Sequence, residues 1–213
     1  MSRIFLNIIL MDWDDTIFPT TWVNENKINL TDINSLNKYK LFFIELDNNI
    51  YELLKNLDKN SDVYIVSNAN INWIKSGLSV LNRTSDYIIS NNIRIISARD
   101  IYMNKLKDAI DWKITTFQDI MGDILYKVGT KIDTTKTYLN ILSVGDAFFE
   151  YQALISLDTF FRDNNINIKY LLKNIRFIEK PDFDSLIDEV QSTIKNIEPI
   201  LNKMEFIDLS FES

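Results

Sequence analysis

The stretch ILMDWDDTIFPT, residues 9–20, decides how the chain is read. An apolar run, Ile8 to Met11, drives straight into three carboxylates, Asp12, Asp14 and Asp15. Such a run reads as a strand buried on both faces. Two carboxylates ~4 Å apart repel by roughly 4 kcal/mol at an effective dielectric of 20. A buried strand aimed at a cluster of like charges therefore needs something that offsets the repulsion. A bound cation would supply it.

Working outward, short apolar runs alternate with segments of helical period. Residues 4–12, 63–69, 93–98, 139–147 and 175–180 read as strands, the one at 175–180 as the last. Ile33, Leu36, Phe43, Ile50, Leu54 and Leu57 recur at helical spacing and predict one long helix, capped by Thr31 or Asp32. Further helices are predicted over 72–81, over 113–127 with Lys113 at its start, over 149–161, and from about 182 to 195, with Pro199 disturbing the end. This alternation predicts an α/β fold: a three-layer, Rossmann-like parallel sheet with helices on both faces. The 213 residues fit a single domain over 1–213. The space between the first strand and the long helix, about 17–30, holds a short flap and no large cap domain.

Composition removes whole classes of chemistry. The chain has no cysteine and no histidine. Disulfides, thiolate or imidazole metal sites, cysteine nucleophiles and serine–histidine triads are excluded. Four glycines form neither a GxxxxGK nor a GxGxxG pattern. Catalysis is left to carboxylates, lysines, hydroxyls and a hard cation held by oxygen. The net charge of −7 weighs against a nucleic-acid partner without removing it. The N-terminal apolar run is broken by Asn7 and ends in Asp12 with no small-residue cleavage site, so it does not read as a signal peptide. No apolar stretch reaches membrane-spanning length, and the expected location is the cytoplasm.

Ligands of parallel sheets bind at the carboxyl edge of the strands. There the first strand presents Asp12, Asp14 and Thr16, the second Ser67 and Asn68, and the fourth Gly145 and Asp146, with Glu150 four residues on. Lys113 stands between them in sequence. This ordered set resembles the haloacid dehalogenase-like superfamily. DWDDT at 12–16 matches its DxDx(T/V) motif, Ser67 its strand-end hydroxyl, Lys113 in DWKITTF its lysine, and GDAFFE at 145–150 its acidic GDxxxD motif with Glu in the last place.

The resemblance implies a phosphatase working through an aspartyl-phosphate. Asp12 would be the nucleophile and Asp14 the acid and then the base. Asp12, the backbone carbonyl of Asp14, and Asp146 would hold Mg²⁺. Ser67 and Asn68 would contact the phosphate, Lys113 would neutralise charge, and Glu150 would support the metal or Lys113. An acid at position 14 implies transfer of phosphate to water, or phosphoryl mutation on a sugar. Taken singly these residues have plainer readings. Asp15 reads as a solvent-facing or capping carboxylate, and Lys105, Lys107 and Lys127 compete with Lys113. Trp13 and Trp22 read as packing residues, with Trp22 as an alternative entrance residue. A short flap leaves an open site, suited to a large phosphorylated substrate such as a phosphoprotein or a nucleic-acid end. A nucleotide or other small metabolite, and a non-catalytic scaffold of the same fold, are the alternatives.

Overall fold

A computed structural model of the protein describes residues 4–128, 133–134 and 136–212. Six parallel strands form one sheet: β1 (Ile4–Met11), β2 (Ser61–Ser67), β3 (Arg94–Ser97), β4 (Thr137–Gly145), β5 (Lys169–Arg176) and β6 (Ile207–Ser210). Their order is β3-β2-β1-β4-β5-β6. β1 lies at the centre, where Met11 pairs with Ile65 of β2 and with Val144 of β4. That register brings the ends of β1, β2 and β4 to one edge.

The two faces of β1 carry separate cores. Ile9 and Met11 pack with buried residues of α3 (Lys40–Asp58), α4 (Ile71–Leu78), α5 (Asn82–Ser90) and α9 (Phe183–Asn202). Ile8 and Leu10 pack against α7 (Ala109–Val128) and α8 (Phe148–Asp163), beside the short α6 (Ala98–Tyr102). Alternation on a pleated strand explains this split. Two short helices, α1 (Thr20–Glu25) and α2 (Ile33–Lys38), bridge from the end of β1 to α3. The fold is a three-layer, Rossmann-like α/β sandwich, with no large cap among the described residues. Among them, too, no helix is long and apolar enough to cross a membrane.

Several boundaries differ from the sequence reading. The long helix from Ile33 is two helices. Asp32 caps α2 by accepting from the backbone of Asn34 and Ser35, and the chain then breaks at Tyr39 (φ −107°, ψ 14°). At the break the Tyr39 ring meets Trp22, at 5.5 Å between centroids. α7 begins at Ala109, so Lys113 lies one turn inside it. The strand expected at 175–180 ends at Arg176, and β6 follows it at the sheet edge. α9 continues through Pro199 to Asn202. Its terminal carbonyls find partners in the sheet. The buried Lys173 ammonium donates to Ile200 (2.8 Å), Leu201 (2.7 Å) and Lys203 (2.7 Å), and Asn140 Nδ2 donates to Leu201 (2.9 Å). Helix-end carbonyls lacking an intrahelical acceptor role are satisfied in this way.

Candidate active site

Pairing with β4 extends one step past β1, because the Asp12 backbone N–H donates to the Val144 carbonyl (2.9 Å). Beyond it the chain turns tightly. Ile17 and Phe18 both donate to the Trp13 carbonyl (3.0 and 2.9 Å), and the Asp15 N–H donates to the Phe18 carbonyl (2.7 Å). Asp15 takes a left-handed backbone conformation (φ 49°), uncommon outside glycine and most accessible to Asp and Asn. The turn therefore aims the carboxylates of Asp14 and Asp15. Asp12 bonds toward α7, and Asp14 toward α4. Asp15 is buried, which corrects the solvent-facing alternative. Its oxygens accept from the backbone N–H (2.8 Å) and hydroxyl (2.5 Å) of Thr21 in the first turn of α1. Burial raises its pKa, against those hydrogen bonds.

Lys113 reaches the end of β1 from α7. Its side chain is 2% exposed, and Nζ donates to Asp12 Oδ1 (2.7 Å) and to Glu150 Oε1. Burial opposes its charge, but the carboxylates of Asp12 and Glu150 outweigh burial and hold the ammonium protonated. Lys105, Lys107 and Lys127 are exposed. Burial pushes the Asp12 pKa up to about 7, with Lys113 pulling the other way. Asp146 is pushed up to about 9, by burial first and then by the charges of Asp12, Glu150 and Asp15.

Oxygens of Asp12, Asp146 and Glu150 lie within 4.8 Å of one another. Glu150 Oε2 is buried and has no partner. Glycine at 145 makes room for this arrangement, since a Cβ there would fall onto the Glu150 side chain. Three carboxylates crowd around one ammonium, and a hard cation would offset the repulsion between them when they ionise.

At the end of β2, the Ser67 hydroxyl accepts from the Ala69 N–H (2.8 Å) and donates to Asp14 Oδ2 (3.3 Å). Asn68 Nδ2 donates to the Ala109 carbonyl at the start of α7 (2.9 Å), and its Oδ1 is buried without a partner. Asp14 Oδ1 accepts from the Thr20 hydroxyl (2.5 Å) and from Trp73 Nε1 (2.9 Å). Thr20 and Trp73 escaped the sequence reading. Trp73 carries no local signal beyond its place three residues after Asn70, which caps α4 by accepting from the Trp73 N–H (2.9 Å). Trp13 is fully buried, while the half-buried Trp22 sits among the rings of Tyr39, Phe42, Phe43 and Phe183.

Sheet order, layering and strand-end carboxylates define a Rossmann-like α/β protein with an acidic crevice at the carboxyl edge of its sheet. No family model matches the sequence, and no curated protein matches it. Among solved structures the chain is similar to the HAD domain of the effector protein Lem4 from Legionella pneumophila. The identity is 13% and the TM-score 0.46, over 93% of this chain and 97% of that one.

Proposed function

We propose that the protein is a Mg²⁺-dependent phosphatase of the haloacid dehalogenase-like type, acting through an aspartyl-phosphate. The observation that carries this reading is the buried Asp12–Lys113 pair set beside Asp146 and Glu150 at the strand ends. An all-oxygen donor set with one unpartnered buried carboxylate oxygen fits a hard divalent cation. Asp12, Asp146 and Glu150 would hold it, with the Asp14 carbonyl as a further ligand. Bound there, it supplies the positive charge that lets an anionic nucleophile meet an anionic phosphate.

The chain's own groups do the rest. Lys113 ties Asp12 Oδ1, which leaves Oδ2 to attack phosphorus. The bond from phosphorus to the leaving oxygen breaks, and that oxygen takes a proton from Asp14. Asp14 then takes a proton from water as the water attacks the aspartyl-phosphate. Phosphate leaves, and Asp12 is restored. Ser67, beside Asp14, would contact the phosphoryl group, and so would Asn68. The short flap supports a large substrate, and the net charge of −7 favours a phosphoprotein over a nucleic-acid end.

Purified protein should hydrolyse p-nitrophenyl phosphate with Mg²⁺ and lose that activity in EDTA. Asp12→Asn should lower kcat/KM by ~10³-fold or more. Hydrolysis that persists in Asp12→Asn would overturn the nucleophile assignment.

A further inference from the structure

Asp14 is gripped from two directions. The flap contributes Thr20, whose hydroxyl lies 2.5 Å from Asp14 Oδ1, and α4 contributes Trp73, whose Nε1 lies 2.9 Å from the same oxygen. Trp73 Nε1 also lies 3.2 Å from Thr20 Oγ1. The direction of these bonds follows from their chemistry. An indole N–H can only donate. The Thr20 hydroxyl, accepting from the indole, turns its own hydrogen to Asp14. Oδ1 thus receives two donors, and Oδ2 faces the Ser67 hydroxyl at 3.3 Å.

The indole is itself fixed. Its ring meets Phe18 edge-on at 5.8 Å (80°), Phe18 stacks on Trp13 at 5.6 Å (11°), and the Asn70 cap holds the Trp73 backbone. Gly77, one turn along α4, lies so close to Trp13 and Phe18 that a side chain there would strike both rings. The clamp is therefore built into the packing between α4 and the flap.

We infer that Trp73, acting with Thr20, is the positioning residue for Asp14. It pins Oδ1, so that Oδ2 is the oxygen that passes a proton to the leaving group and takes one from the attacking water. This inference rests on the phosphatase reading above. It adds that the flap and α4 together, rather than the strand end alone, set the geometry of acid–base transfer. A misdirected Asp14 penalises substrates in proportion to their need for a proton. The phenolate of p-nitrophenyl phosphate departs with little protonation, whereas the alkoxide of phenethyl phosphate does not.

Two measurements test the clamp. In the first, kcat/KM is compared for the two esters in wild type, Trp73→Phe, Thr20→Val and Thr20→Ser, all with Mg²⁺. Trp73→Phe keeps an aromatic ring against Phe18 and loses the N–H. It should lower kcat/KM for phenethyl phosphate about tenfold more than for p-nitrophenyl phosphate. Thr20→Val should show the same selective loss, and Thr20→Ser should restore it. A loss of equal size on both esters would mean a packing role only and would overturn the inference. The second measurement needs no turnover. The chain has four tryptophans, and the Trp73 indole N–H is the resonance missing from Trp73→Phe. Its exchange with deuterium should be slow in wild type and about tenfold faster in Asp14→Ala. Equal exchange rates would overturn the clamp. If wild type cleaves neither ester but the exchange result holds, the phosphatase reading falls and the clamp stands. If wild type cleaves both and Trp73→Phe shows no selectivity, the clamp falls alone.

Discussion

Lys113→Met tests the electrostatic centre of the site. The substitution keeps the bulk of the side chain and removes its charge. Two charge-assisted hydrogen bonds disappear, to Asp12 Oδ1 at 2.7 Å and to Glu150. Bonds to charged groups contribute about 1.5–3 kcal/mol each, and breaking a buried ion pair costs ~3–5 kcal/mol. We expect a loss of about 4 kcal/mol at pH 7.5 in metal-free buffer, read by urea unfolding. A protein of ordinary stability would survive this, though only marginally.

The loss should also depend on pH, with a definite sign. Folded Asp12 has a pKa raised from 3.8 to about 7. Below pH 7 its carboxyl is increasingly protonated in the folded wild type, and Lys113 loses the ion pair with Asp12. Its removal then costs less, so the deficit should fall by about half between pH 8 and pH 5.5. A deficit under about 1 kcal/mol at pH 7.5, or one that does not change over this range, would refute the role of Lys113 as the buried counter-charge. Mg²⁺ at saturating concentration should restore part of the lost stability, about 2.7 kcal/mol at a hundred times its Kd.

Two other substitutions probe the surroundings. Gly145→Ala would drive a Cβ onto Glu150, and it should cost ~1–3 kcal/mol by thermal unfolding and weaken Mg²⁺ binding in calorimetric titration. Glu189 is buried on α9, accepts from the Ile178 N–H (2.6 Å), and has its pKa raised by burial from 4.5 to about 7. A carboxyl raised on folding stabilises least when ionised, so wild-type stability should fall as pH rises from 4.5 through 7. Glu189→Gln should lessen that fall by at most roughly 3 kcal/mol, read by denaturant titration at pH 8 against pH 5.

The parts of the fold and site that could be read from sequence are those where local pattern and tertiary role coincide. β1 and β4 are apolar runs ending in acids, and that alone located Asp12, Asp146 and, one helical turn on, Glu150. Other features are hidden for physical reasons. β5 carries Lys173 and Asn174 at buried positions, so its polarity masks a strand whose ammonium is satisfied by helix-end carbonyls far along the chain. The apolar period runs unbroken through Tyr39, yet the helix breaks there, where the Tyr39 ring meets Trp22. The first turn of α7 adds Ala109 to Trp112, which no predicted start signal marked. The grip on Asp14 is mostly tertiary, because Ser67 and Trp73 reach it from 53 and 59 residues along the chain.

The register of the central strand has a consequence for synthesis on the ribosome. Ile4 pairs with Thr137, and Asp12 meets side chains at 113, 146 and 150. A nascent chain that has emerged only as far as β3 already contains DWDDT, but not Lys113, Asp146 or Glu150. The crevice takes shape only once β4 slides in beside β1 and α8 follows. Truncated translation products are therefore expected to lack an ion-binding centre altogether rather than to carry a weakened one.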